Sequence, residues 1–95
     1  MQWITVAAPS FSMEQVKAVF AAQGGAPDGL LARYTGTSDG QVRIIGLWES
    51  KAHADRFFAE TLPPSLVKAL GPEPVGAPET VGFEVTDAYL REPVA

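Results

Sequence analysis

The residue of this sequence with the clearest capacity for acid–base chemistry is its single histidine, His53. An unperturbed imidazole titrates near neutral pH, so His53 could act as a general base. The alternative is that it faces solvent in the first turn of a helix and has no catalytic role. Zinc usually needs several histidine or cysteine ligands, and the chain has no cysteine. We therefore predict His53 as the one catalytic candidate and no metal site.

Aromatic side chains form a second group of candidate functional residues, because they could line a ligand-binding cavity. Trp48 ends an apolar run, and its indole N–H needs a partner when it is buried. Gly46 leaves a hollow on the same strand face two residues earlier. We predict a cavity for a flat apolar or aromatic ligand on the helix-covered side of a sheet. The alternative is that Phe57 simply fills the hollow. The predicted lining is Trp48, Tyr34, Phe11, Phe57 and Phe58.

Two arginines, Arg33 and Arg43, fall on neighbouring predicted strands. Either could pair with Glu84 or with an anionic group of a ligand, and a salt bridge is the favoured use. Ser50 and His53 also stand three residues apart, as a nucleophile and its base might. Ser50 is needed as a helix cap, however, so this pair is not predicted to form a hydrolytic site.

Six predicted elements must position these side chains. An apolar run from Ile44 to Trp48 indicates a strand covered on both faces, and alternation elsewhere indicates half-exposed strands. A capping box at Ser12 and a glycine pair at Gly24 delimit the first helix. The predicted strands are Trp3–Ala7, Gly29–Thr37, Gln41–Glu49 and Thr80 to about Leu90. The predicted helices start at Ser12 and Ser50, the second stopping at Pro63-Pro64 before a short piece, Ser65–Leu70. Residues 71–79 are predicted as a loop and 91–95 as a tail.

This order of elements predicts one α+β domain, residues 1–95, with the ferredoxin-like βαββαβ fold. Its four-stranded antiparallel sheet would carry both helices on one face. The third strand is apolar on both sides, so the other face would expose Ile45 and Leu47 beside Arg43. A second copy related by a two-fold axis would cover that patch. We therefore predict a homodimer of two facing sheets, with Ile45, Leu47 and Arg43 on the dimer face.

Composition narrows the classes of partner. The formal net charge is −4, so the chain has no basic surface for phosphates and nucleic acid is not expected. No apolar run approaches the length of a membrane span, and the N-terminus lacks the pattern of a signal peptide. A cytoplasmic protein is the expectation. With no cysteine, one histidine and no nucleotide-binding glycine loop, we expect no bound metal, flavin or heme as cofactor.

The segment Leu47-Trp48-Glu49-Ser50, leading into a helix with Phe57 and Phe58, resembles the dimeric α/β-barrel proteins. The nearest branch is the antibiotic-biosynthesis-monooxygenase-like group. This resemblance implies a homodimer with facing sheets and a pocket lined by Trp48. Some members oxidise polycyclic phenols to quinones without metal or flavin, and others degrade heme. Heme-degrading members use an asparagine on the first strand, and this chain has none, so heme degradation is not expected.

Three functional interpretations remain open at this point. One is a cofactor-independent monooxygenase acting on an aromatic or polyketide-like compound. The second is a non-catalytic dimer that binds a small apolar molecule or serves a structural role, because a fold does not fix a function. A ligand-sensing module is the third. Oxygen uptake with hydroxyanthrones and naphthols separates the first interpretation from the other two.

Overall fold

The structure is a computed structural model that describes residues 1–72 and 79–91. One four-stranded antiparallel sheet carries the helices on a single face. The strands are β1 (Trp3–Ala8), β2 (Leu30–Ser38), β3 (Gln41–Trp48) and β4 (Glu79–Glu84). The helices are α1 (Met13–Gln23), α2 (Lys51–Arg56) and α3 (Leu62–Leu70), with a π-helical turn, Phe57–Thr61, between the last two.

The order of strands across the sheet is β2-β3-β1-β4, and each neighbouring pair is antiparallel. The chain order of strands and helices is βαββαβ, so the predicted ferredoxin-like fold is confirmed. The central strands β1 and β3 hold much of the core: Ala7, Val42 and Trp48 are buried there, and Val16 and Val19 of α1 cover them. None of the helices in the described ranges is long and apolar enough to cross a membrane.

The ends of α1 follow from local chemistry, as predicted. The Ser12 hydroxyl accepts from the Gln15 amide at 3.2 Å, and the Ser12 amide donates to Gln15 Oε1 at 3.0 Å. This reciprocal pair satisfies two of the free donors at a helix start. Gly24 ends the helix with φ of 76°, a left-handed conformation that disfavours side chains. The helix is therefore fixed at both ends by its own sequence.

The β2–β3 hairpin turns at Asp39 and Gly40, both with positive φ, of 51° and 77°. Paired positive-φ residues match the twist of the strands on either side, which is why Asp-Gly is a favoured hairpin turn. The residues of the turn, Ser38-Asp39-Gly40, therefore favour the hairpin that the structure shows. The turn pairs Ser38 with Gln41 and sets the register of both strands from that end.

A bulge near the start of β2 interrupts the simple alternation of faces that is expected along a strand. Leu30 pairs with Trp48, but Ala32 already pairs with Leu47, so Leu31 is an extra residue. Alternation across a strand restarts after such a residue. Leu30 and Arg33 consequently share the helix-covered side, whereas simple alternation had separated them.

The second helical region continues through its two prolines, which corrects the predicted stop. Pro63 and Pro64 lie in the first turn of α3, where a missing amide hydrogen is tolerated. The π-helical turn precedes them, with the Leu62 amide donating to Phe57 O five residues back. A π-helical turn changes the phase of a helix by about one residue and is common at functional sites. The π-helical turn therefore changes the phase of the helix, and the two prolines do not end it.

The last strand is shorter than predicted, ending at Glu84 instead of near Leu90. Residues 85–91 are irregular, and the Val85 amide donates to Gln2 O at 3.0 Å beside the end of β1. The predicted loop, residues 71–79, overlaps β4 at Glu79, and its central part, 73–78, lies outside the described residues. Of the predicted tail, only Arg91 is described.

The sheet face opposite the helices is apolar. All four strands contribute side chains to this face, and these side chains lie opposite one another in the pairing of neighbouring strands. Ile45 is 42% exposed and Phe83 49% exposed in the single chain. A contiguous apolar surface of this kind usually marks an interaction site. We call this surface the open face; its members are Ile4, Val6, Ala32, Tyr34, Ile45, Leu47, Val81 and Phe83, with Arg43.

Candidate functional site

A cavity of about 80 Å³ lies between the helices and the sheet and is partly open to solvent. Every strand except β4 lines it, together with α1, the π-helical turn and α3. Its walls are almost entirely apolar, as is usual for small-molecule sites. Four of the five residues predicted to line a pocket do line this cavity: Trp48, Phe11, Phe57 and Phe58.

Trp48 is the central wall of the cavity and is only 3% exposed. Its indole N–H donates to Thr5 Oγ1 on the neighbouring strand β1, at 3.0 Å. Thr5 is itself buried, so each group provides the other with the partner that burial demands. The indole lies back over Gly46, where a Cβ atom would come within 2.8 Å of Trp48 Nε1. The hollow at Gly46 is therefore occupied by the indole and not by Phe57.

Phe57 and Phe58 cover the other side of Trp48. The ring centroid of Phe57 is 5.2 Å from that of Trp48, and the centroid of Phe58 is 6.5 Å away. The two phenyl rings meet edge to face at 5.1 Å. Such tilted contacts are favourable for aromatic rings beyond the area they bury. Because both phenylalanines belong to the π-helical turn, the local phase of that turn sets the roof of the cavity.

Two further polar side chains line the cavity, Gln23 at the end of α1 and Arg33 on β2. Both amide atoms of Gln23 are buried, and neither has a hydrogen-bond partner among the described residues. The Arg33 guanidinium stacks on the Phe20 ring, 3.7 Å from its centroid. Although Arg33 as a whole is exposed, desolvation of its guanidinium lowers the pKa of this group. The cavity thus has an apolar body and one end with polar groups.

His53 stands outside this lining. Its Nδ1 is 2.7 Å from Ser50 Oγ, and its Nε2 is 3.8 Å from Glu49 Oε2. Its ring packs on the backbone of Gly29, where a Cβ would collide with it. Ser50 meanwhile accepts from the His53 amide and caps α2, as predicted. His53 is not among the residues that line the cavity, so its role as a general base stays a prediction without support from the geometry.

Tyr34 is a correction to the predicted pocket. It pairs with Ile45 and is 68% exposed on the open face, away from the cavity. The cause is the bulge at Leu31, which exchanges the faces of Tyr34 and Arg33 relative to Leu30. Neither Arg33 nor Arg43 forms an ion pair with Glu84 in the part of the chain that the structure describes. Arg43 lies beside the open face, as predicted, and donates to Val42 O at 3.2 Å.

Sequence reasoning did not select Thr5, Gln23 or Arg33 for the cavity. Thr5 could have been found, because a polar residue inside an apolar strand needs a buried partner. Gln23 gave no comparable signal, since the last turn of a helix before a glycine cap is often exposed. Within the described ranges, no three histidine, cysteine or acidic side chains come together to hold a metal ion.

We expect Gly46→Ala to destabilise the fold by about 1–3 kcal/mol, because the added methyl group overlaps the Trp48–Thr5 hydrogen bond. Gly36→Ala is the matched control on the same sheet, since no atom lies within 4 Å of its Cβ position. Chemical denaturation of both variants checks this expectation. Equal stability of the two would contradict the close contact between Gly46 and the indole.

Comparison with known proteins places the fold. No protein family model matches the sequence, and no curated protein sequence is significantly similar to it. Solved structures do match over nearly the whole chain. A candidate antibiotic biosynthesis monooxygenase from Chloroflexus aurantiacus has a TM-score of 0.60 at 14% identity, covering 94% of this chain and 97% of its own.

Two Streptomyces structures are similar to the same extent. The monooxygenase ActVA-Orf6 of Streptomyces coelicolor, in complex with the ligand nanaomycin D, has a TM-score of 0.58 at 25% identity over 96% of this chain and 92% of its own. SnoaB, a cofactor-independent oxygenase from Streptomyces nogalater, has a TM-score of 0.56 at 14% identity over 92% and 93% of the two chains. The predicted resemblance is confirmed at the level of structure: this chain has the ferredoxin-like fold of antibiotic biosynthesis monooxygenase-like proteins.

Proposed function

We propose that this chain is a homodimeric, cofactor-independent monooxygenase that binds an apolar or aromatic small molecule in the cavity beside Trp48. The observation that carries the proposal is the cavity itself, apolar and roofed by two phenylalanines, in a fold shared with such enzymes. One of those neighbours was crystallised with a small-molecule ligand. Aromatic walls suit a flat ring system, which can stack on them.

The size of the cavity limits how a ligand can sit in it. An apolar cavity of about 150 Å³ holds benzene, and the enclosed volume here is about 80 Å³. An aromatic ligand must therefore extend through the opening or displace part of the wall. Phe57 and Phe58 are the best candidates to move, because they lie on a π-helical turn and neither is fully buried. The ligand would then replace part of the aromatic contact that these rings make with Trp48.

The proposed reaction needs only the substrate and dioxygen. An activated phenol with a methylene carbon in its central ring supplies the electrons. The two C–H bonds of that carbon break, a C=O bond forms with one oxygen atom, and the other oxygen atom leaves as water. Among the described residues, the lining contains no carboxylate and no imidazole. The substrate would therefore enter already acidic enough to lose its proton, and the protein would bind and orient it.

The dimer is part of this proposal. The open face is a contiguous apolar surface, and its exposure to water is unfavourable. Ile45 and Phe83 are among its exposed members. An isologous pairing, in which the same face of two copies meets, would cover them all at once. A small domain also buries little of its own surface, so such an interface adds needed stability.

A second candidate function is a dimer that binds the same kind of ligand without oxidising it. The observation that favours it is the position of His53, because the one predicted base does not reach the cavity lining. In this case the cavity would bind naphthols and hydroxyanthrones, and no oxygen would be consumed.

We expect the purified protein to consume one dioxygen per quinone formed with at least one hydroxyanthrone, measured with an oxygen electrode. Leu66→Trp should reduce the rate at least tenfold, because a larger side chain there fills the cavity from α3. Val67→Trp is the matched control, since Val67 is exposed on the same helix and does not line the cavity.

The outcomes of this experiment separate the two candidates. Binding of 2-naphthol or nanaomycin D in calorimetry without oxygen uptake would favour the non-catalytic dimer. Uptake that Leu66→Trp and Val67→Trp reduce equally would place the reaction outside this cavity. If the wild-type protein binds none of these compounds, the cavity is a packing defect and the proposal is wrong.

A further inference from the structure

The side-chain amide of Gln23 makes no hydrogen bond within the part of the chain that the structure describes. Its Nε2 and Oε1 atoms are both buried, and neither bonds any group among the described residues. A buried amide without partners gives up its hydrogen bonds to water and receives none in return. Such groups are rare in native structures and call for an explanation. Because Gln23 lines the cavity, the explanation we consider is a ligand.

A positive charge lies at the same end of the cavity. Phe20 precedes Gln23 by one helical turn, so the two side chains are neighbours on α1. The Arg33 guanidinium lies over the Phe20 ring at 3.7 Å. No carboxylate pairs with Arg33 in the described part of the chain, and this arginine is among the residues that line the cavity. This end therefore offers the acceptor oxygen and the two N–H donors of the Gln23 amide, together with the positive charge of Arg33.

We infer that the Gln23–Arg33 end binds the hydroxyl group of a phenolic ligand, whose ring lies in the apolar body of the cavity toward Trp48. This inference rests on the proposed function, which makes the cavity the ligand site. The O–H of a neutral phenol donates a hydrogen bond to Oε1 of Gln23. After the phenol ionises, its oxygen accepts a hydrogen bond from Nε2 of Gln23, and the nearby charge of Arg33 stabilises the anion. A carboxylate suits the site less well, because it has no proton for Oε1.

The test measures how much the phenol group itself contributes. Binding of 2-naphthol and of naphthalene is measured by equilibrium dialysis for the wild-type protein, Gln23→Leu and Gln41→Leu. Leucine keeps the bulk of Gln23 and removes the amide. We expect the wild-type preference for 2-naphthol over naphthalene to fall about tenfold in Gln23→Leu, the factor that one hydrogen bond typically gives. Gln41→Leu makes the same exchange at an exposed position outside the cavity, and the preference should persist.

A second measurement needs no ligand. Gln23→Leu should raise the melting temperature by about 4–8 °C, because it removes a buried amide that has no partner. If Gln23→Leu fails to fold, Gln23→Met replaces it in both measurements, since methionine adapts to irregular spaces. An unchanged preference in the variant would overturn this inference and leave the proposed function intact. Failure of the wild-type protein to bind either probe would overturn both.

Discussion

Ile45→Arg is expected to convert the proposed homodimer into single chains. Ile45 is already 42% exposed in the single chain, so the substitution leaves the fold of one copy nearly undisturbed. In a dimer joined through the open face, the same position would bury an unpaired charge, which typically costs about 3–5 kcal/mol. That penalty corresponds to a dimer weakened by roughly a hundred- to several-thousand-fold. Sedimentation velocity over a range of micromolar concentrations measures it.

The matched control for this substitution is Ala52→Arg. Ala52 is exposed on α2, on the other side of the sheet from the open face. It receives the same new charge, so a general effect of charge on association would appear in both variants. We expect Ala52→Arg to sediment as the wild-type protein does. If the wild-type protein sediments as a single chain at these concentrations, the proposed dimer is wrong. If Ile45→Arg dimerises with the same dissociation constant as the wild-type protein, the dimer does not form through the open face.

The sequence was sufficient for those parts of the fold that depend on neighbours along the chain. The capping box at Ser12, the left-handed Gly24 and the Asp39-Gly40 turn all follow from backbone chemistry within a few residues. The apolar run from Ile44 to Trp48 predicted a strand covered on both faces; the strand is there, and in the single chain the helices cover one of its faces. Strand order then followed from the order of elements, because few topologies fit βαββαβ.

The wrong prediction for Tyr34 and the missed Arg33 have a different cause, which is a constraint between distant residues. The bulge at Leu31 arises because the hairpin turn sets the register at one end of β2 and the pairing of Leu30 with Trp48 sets it at the other. A count of alternating residues cannot detect one residue too many between two such constraints. As a consequence, Tyr34 was assigned to the cavity in place of Arg33.

The polar end of the cavity was unpredictable for a related reason. Whether Gln23 faces solvent or the sheet depends on how α1 packs against α3, and no neighbouring residue encodes that angle. Similarly, Pro63 and Pro64 usually stop a helix, and only the preceding π-helical turn lets it continue. Local rules thus predicted the scaffold, and long-range packing decided which polar groups reach the cavity.

Trp48→Ala is expected to have the largest effect on stability of any substitution considered. Removing a buried tryptophan costs about 3–5 kcal/mol, and a domain of this length has only about 5–14 kcal/mol in total. The loss includes the contacts with Phe57 and Phe58 and leaves the Thr5 hydroxyl without its donor. Thermal and urea denaturation measure the change. A loss below about 1 kcal/mol would mean that the indole is not the centre of this packing.

The same variant offers a test of the site by chemical rescue. Indole added at millimolar concentration can occupy the space left in Trp48→Ala and donate its N–H to Thr5, so it should raise the melting temperature by several degrees. 1-Methylindole fills the same space without a donor and should restore less. Trp3→Ala is the matched control, because Trp3 packs over Gly82 at the sheet edge and does not line the cavity. Equal responses of both variants to indole would contradict a ligand-accessible space at Trp48. Selective rescue of Trp48→Ala would show that aromatic molecules can enter this space from solvent, as the proposed function requires.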